Sequence, residues 1–188
     1  MRYAFCLITF FVAAMLLQTS LFPALIPPML QPDIGLLMGL CALAFGVREF
    51  GLIAIFTMGI QADLFGSARF GLLTLCYLLA AGIILWAAWR ELTRGDLLAA
   101  WIGGVAATAL AHGLYIGIGR VCGYDVHWGQ AFAKVLAWIL ASVVWGLPVA
   151  WLCGKWMYGL NLMSTPVRER WAAEARLAAA RRGKVMRG

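Results

Sequence analysis

Asp63 and His112 stand where ionisable side chains are rare. Asp63 closes an apolar run that also holds Thr57 and Gln61. His112 lies near the middle of another, with Thr108 and Tyr115 one turn away on a shared helical face. An ionisable group at membrane depth is by default a functional position, in a proton relay or a ligand contact. The more ordinary arrangements are structural. An acid ends its helix at an interface before a turn such as Gly66-Ser67, and a histidine hydrogen-bonds between helices of a bundle. Cys122, Asp125 and His127 share a loop, but their spacing is too loose for a metal site. Of the five cysteines, Cys6, Cys41 and Cys76 lie inside apolar runs, where thiols act as small hydrophobes. With no CxxC, neither a disulfide nor a metal cluster is expected. No serine, histidine and acid fall on compatible segments and there is no Walker loop, so the expectation is no enzyme and no cofactor.

The elements that carry these residues are apolar almost throughout. The chain has 188 residues, 64 % of them hydrophobic and 12 % charged. An average soluble domain has about 45–50 % and about 25 %. Too few polar side chains are present to cover a globule of this size, which excludes a cytosolic enzyme, a disordered chain and a disulfide-stapled secreted module. An integral membrane protein remains. The net charge is +7, and +6 of it lies from Lys155 to the end, where eight Lys or Arg meet two Glu. That excess points to an anionic membrane surface. Nucleic acid is excluded because no base-stacking aromatics accompany the charge.

Six apolar runs follow one another. Tyr3 to Phe22 is the first, read as a membrane helix rather than a signal peptide because no small-residue cleavage site follows. Pro23, Pro27, Pro28 and Pro32 then break the chain. Ile34–Val47 and Phe50–Ala62 are 14 and 13 residues, so each reaches about 20 Å, short of a roughly 30 Å hydrocarbon core. One helix through both would put Arg48-Glu49 at mid-membrane, so a hairpin of two short helices is expected. Phe70–Trp89, Leu97–Gly119 and Gln130–Cys153 follow, the last with Pro148 as a candidate kink whose freed backbone groups neighbours satisfy. Residues 1–153 thus form a six-helix transmembrane domain. Residues 154–188 form a basic amphipathic cytoplasmic tail, with Ser164 and Thr165 as candidate caps and a helix from Pro166. Arg168, Arg170, Arg176, Arg181, Arg182 and Lys184 are its candidate lipid-surface residues. Twelve basic residues fall on one side of six spans and three on the other, which places both termini in the cytoplasm.

Two pairs of glycines, Gly35-xxx-Gly39 and Gly113-xxx-Gly117, allow close helix approach, either within the bundle or in a groove for another protein's helix. The segment Gln31 to Gly71 is more specific. Gln31-Pro32-Asp33 opens the second run and Arg48 marks the hairpin. Gly59-Ile60-Gln61-Ala62-Asp63-Leu64 follows, then Gly66-Ser67 and Gly71. In that order, in chain length and in six spans the sequence resembles the bacterial rod-shape-determining membrane protein family MreD. The long basic tail departs from it.

The resemblance implies a non-enzymatic scaffold of the cell-elongation complex in the bacterial inner membrane. Such a protein binds MreC and links MreB filaments to the polymerase RodA and its class B penicillin-binding partner in peptidoglycan synthesis. The candidate structural or interaction residues are Pro32, Asp33, Gly35, Gly39, Gly59, Asp63, Gly66, Gly71 and His112. The family is also similar to the substrate-binding S-components of energy-coupling-factor vitamin transporters. That similarity implies an all-α six-helix bundle of the S-component fold, and it supplies the alternative function, a vitamin-binding S-component with His112 in its pocket. Ala13-Ala14 has no partner alanine four residues on, as the S-component docking signature would require.

Overall fold

A computed structural model describes residues 2–25, 27, 31–45, 48–65, 70–92, 96–123 and 127–185. Among them every regular element is helical. The chain opens with α1 (Arg2–Leu16), which passes through a single π-helical stretch, Leu17–Leu21, into α2 (Phe22–Leu25). Then come α3 (Ile34–Phe45), α4 (Arg48–Phe65), α5 (Leu72–Leu92), α6 (Leu97–Val121), α7 (Trp128–Gly159) and α8 (Thr165–Val185). Three stretches are long and apolar enough to cross a membrane: Ala4–Leu25 with 22 residues, Leu97–Val121 with 25 and Trp128–Gly159 with 32. Ile34–Phe45 and Leu72–Ala87 are apolar but shorter.

The hydrophobic surface is arranged for such a setting. Phe132, Leu136, Leu140, Val144, Leu147 and Trp151 make an exposed stripe along α7, and Phe5, Ile8, Val12 and Leu16 make one along α1. A soluble monomer rarely leaves apolar area of this extent in water.

The hairpin of two short helices is present, and α3 is its inner arm. All twelve residues of α3 are buried. At 1.5 Å per residue it is only about 18 Å long, and it forms the axis around which the longer helices pack. The outer arm departs from the sequence expectation. Helix α4 has 18 residues instead of a 13-residue run, and it takes Arg48 and Glu49 into its first turn.

Glycine sets the closeness of the two arms. A Cβ on Gly39 would lie 2.9 Å from Ile55 Cγ1, and one on Gly51 only 2.4 Å from Leu43 Cα. Gly35 faces Met58. As residue numbers rise on α3 their partners fall on α4, the pattern of antiparallel neighbours. Gly35-xxx-Gly39 is therefore internal packing, and a partner-docking role for that pair does not survive. On the next interface a Cβ on Gly59 would meet Thr74 Cα at 2.8 Å.

Helix α7 runs unbroken through Pro148. Proline cannot donate to the carbonyl four residues back, and its ring opens the ladder there. Beside it, Trp101 of α6 donates its indole N–H to the Val143 carbonyl at 3.0 Å, one residue before the carbonyl that Pro148 leaves without a helical donor. Gly146 makes room for that ring, since a Cβ there would be 2.8 Å from Trp101 Cδ1.

The end of α7 also moves the expected domain boundary. The helix continues to Gly159, so a division at 153/154 falls inside it. Asn161 ends the helix with φ +58°, a left-handed conformation that asparagine tolerates. Leu162 N–H then bonds Met157 O at 3.0 Å and Asn161 N–H bonds Tyr158 O at 3.1 Å. These are the two bonds of a Schellman cap, and buried Leu162 and Met157 supply its apolar contact.

Candidate functional site

Three aspartates cap helix starts, and two of them, Asp33 and Asp63, are buried. Asp33 is the N-cap of α3. Its main-chain carbonyl accepts from Leu37 N–H at 3.1 Å and its Oδ1 accepts from Leu36 N–H at 3.1 Å. The first turn of a helix has backbone donors without internal partners, and a cap side chain supplies the acceptor. Pro32 precedes it, fully buried, with its carbonyl accepting from Ile34 N–H at 3.0 Å. Asp96 caps α6 in the same way, accepting from Leu98 N–H at 3.1 Å.

Asp63 does this work at a distance. The N-cap position of α5 is Gly71, whose carbonyl accepts from Leu75 N–H at 3.0 Å. Gly71 has φ +93°, a region that side chains other than glycine enter at a cost of about 1–2 kcal/mol. The turn therefore requires glycine, and glycine has no side chain with which to cap. Asp63, on the last turns of α4, reaches across instead. Its Oδ1 accepts from Leu73 N–H at 2.9 Å, and its Oδ2 accepts from Thr74 N–H at 3.0 Å and from the Thr74 hydroxyl. Leu73 and Thr74 are the second and third residues of the helix, the donors a cap normally serves. A carboxylate here also complements the positive end of the helix dipole. Asp63 and Gly71 are thus two halves of one cap. Gly66, between them, lies outside the described residues.

The second oxygen of Asp33 brings together side chains from three helices. Tyr77 of α5 donates its hydroxyl to Asp33 Oδ2. His112 of α6 places Nε2 3.6 Å from the same oxygen. That is ion-pair distance, beyond a direct hydrogen bond. Neither ring nitrogen of His112 has a hydrogen-bond partner among the described residues. The imidazole is stacked on Trp138 of α7, with centroids 3.9 Å apart and planes at 26°. One turn earlier, Thr108 donates to Gly104 O at 2.9 Å and accepts from Ser142 Oγ at 3.2 Å.

Asp33 and His112 are each 6 % exposed. Both oxygens of Asp33 accept from protein donors, so the side chain caps α3 and ties it to α5. His112 is enclosed between Asp33 and Trp138.

The face of α6 turned away from this node is different. Ala109, Leu110, Gly113, Leu114, Gly117, Ile118 and Val121 line an apolar groove of about 470 Å³. A Cβ added at Gly113 or Gly117 would meet nothing within 4 Å. Of the two glycine pairs, this one is open.

Sequence reading brought Asp33, Asp63 and His112 forward, but not their partners Tyr77, Thr74 and Trp138. Two hydroxyls in the otherwise apolar Leu72–Leu85 run, those of Thr74 and Tyr77, were the available signal for both. Set against protein-family models, curated proteins and solved structures, the chain matches none.

Proposed function

We propose that this protein is a non-enzymatic membrane scaffold of the bacterial cell-elongation machinery, as its resemblance to the MreD family implies. The observation that carries the reading is the use made of the Gln31–Gly71 segment. Its two acids are helix caps: Asp33 on α3, with Tyr77 as an added donor, and Asp63 on α5 in place of the side chain that Gly71 lacks. Residues that bear the resemblance thereby serve architecture, which is what a scaffold needs of them.

In this reading α1–α2 and α3 to α7 form a six-span bundle of the inner membrane with both termini in the cytoplasm. Ser164 N–H bonds Phe45 O at 3.2 Å, which puts the root of the basic tail beside the hairpin end of α3. Arg48 and the tail then share one side, in keeping with the positive-inside rule. The open α6 groove receives the membrane helix of MreC, because small residues let two backbones approach closely. MreB, RodA and the class B penicillin-binding protein are reached directly or through MreC.

The test is purification in mild detergent followed by intact-complex mass spectrometry. A stoichiometric bitopic partner is expected with the wild type, and loss of that partner with Gly113→Leu or Gly117→Leu while the melting temperature is kept. A bound vitamin, or recovery of a transporter's membrane subunit and ATPases, would refute the scaffold in favour of transport.

A further inference from the structure

The tail is neither a free extension nor an amphipathic strip. Helix α8 starts at Thr165, with Ser164 O accepting from Arg168 N–H at 3.0 Å in its first turn. Val167 and Trp171, one turn apart, point to the bundle. Val167 is buried, and the Trp171 ring stands edge-on to Phe45 with centroids 5.6 Å apart. Gly154 of α7 makes the notch for it, since a Cβ there would be 2.5 Å from Trp171 Cη2. These contacts root α8 at the corner where α7 ends.

They also use up its best apolar residues. Between Trp171 and Val185 the sequence offers only Leu177, Val185 and a series of alanines as apolar residues, set among Arg176, Arg181, Arg182 and Lys184. At 100° per residue, Arg168 and Arg170 fall on opposite flanks of the Val167–Trp171 line and Arg176 falls opposite it. Six basic and two acidic residues lie within Thr165–Val185. Arg168 and Arg176 are exposed, and Lys155 beside the root sits over the Trp151 ring at 3.9 Å. A membrane-surface helix normally inserts an apolar face. This one has given that face to its own bundle.

We propose that α8 is a rooted cationic arm that binds the surface of an anionic phospholipid bilayer by charge alone, without inserting. The inference deepens the membrane reading above and rests on it, but not on which partner the bundle holds. Charge complementarity chooses the occupant: the arm leaves the end of a membrane-length helix, where the nearest extended anionic surface is the headgroup layer. Each basic side chain near such a surface contributes about fivefold to binding, an attraction that falls off within a Debye length.

The experiment is hydrogen exchange of the Ala172–Val185 amides in the full-length wild-type protein. The chain is held in phosphatidylcholine nanodiscs, in nanodiscs with phosphatidylglycerol added, and in detergent. Slowed exchange only with phosphatidylglycerol is expected, reversed near 1 M salt, where the Debye length is about 3 Å. Arg176→Gln with Arg182→Gln should weaken the protection about 25-fold. Equal protection in both lipids, or added protection that survives high salt, would each overturn the proposal. Loss of the partner complex with this lipid response intact would instead refute the scaffold alone.

Discussion

Asp63 offers the sharpest test of how the polar residues work. Asp63→Ala strands the Leu73 and Thr74 N–H groups and the Thr74 hydroxyl, all three of which now donate to it. A lost N-cap costs about 0.5–2 kcal/mol, and a buried donor left without its charged acceptor about 1–3 kcal/mol. The three donors share one helical turn and relax together, so the terms do not simply sum, and about 2–4 kcal/mol is expected in total. In a chain of this size 1 kcal/mol moves the melting temperature by roughly 2–4 °C. Asp63→Ala should therefore melt roughly 5–15 °C below wild type, read by intrinsic tryptophan fluorescence in mild detergent. Asp63→Asn keeps one acceptor oxygen and should lose about half as much. Thr74→Val removes a single hydroxyl and should cost about 1 kcal/mol. In the double variant the Thr74 hydroxyl is no longer a stranded donor, so the combined loss should fall short of the sum by about 1 kcal/mol. An Asp63→Ala protein melting within about 2 °C of wild type, or strictly additive losses, would refute the assignment of Asp63 as the cap of α5.

Three further outcomes follow from the same contacts. Tyr77→Phe withdraws the hydroxyl that donates to Asp33 and should cost about 1–2 kcal/mol by thermal unfolding, with partner recovery unchanged. Gly39→Ala presses a Cβ against Ile55 backbone and side chain and should cost about 1–3 kcal/mol, whereas Gly113→Ala meets nothing and should be neutral or stabilising by up to about 1 kcal/mol; equal effects would contradict the assignment of one pair to the interior and the other to an open groove. Asn161→Val should cost about 1–2 kcal/mol because a β-branched residue is strained at φ +58°, while Asn161→Gly should stay within about 0.5 kcal/mol, both read as melting shifts.

Much of the site was half legible. Asp33 announces itself as a cap by standing before an apolar run just after a proline. Asp63 looks like a helix end because a Gly/Ser turn follows. What it caps could not be read, because the donors belong to the next helix, ten and eleven residues on. His112 was visible as a polar residue in an apolar run, but Trp138 and Asp33 are separated from it by 26 and 79 residues. The two glycine pairs have identical spacing in sequence. One lies on a helix buried on all sides and the other on the outer face of α6, and spacing carries no information about burial.

By itself the sequence determined the solvent and the helices. A hydrophobic fraction of 64 % leaves too few polar groups for a water-facing surface, and in lipid only structures that satisfy their own backbone hydrogen bonds can form from such runs. It also determined where some helices begin and stop, since Pro32 and the charged Arg90–Asp96 stretch act locally, whereas the end of α7 lay beyond the expected Cys153. Tertiary structure alone decided which helix lies at the centre, which glycines are filled, and where α8 is rooted. It also decided that an acid on α4 completes the cap of α5. Those outcomes depend on which apolar faces meet, and because hydrophobic and dispersion forces are non-directional, many pairings compete until steric fit and a few buried polar partners select one.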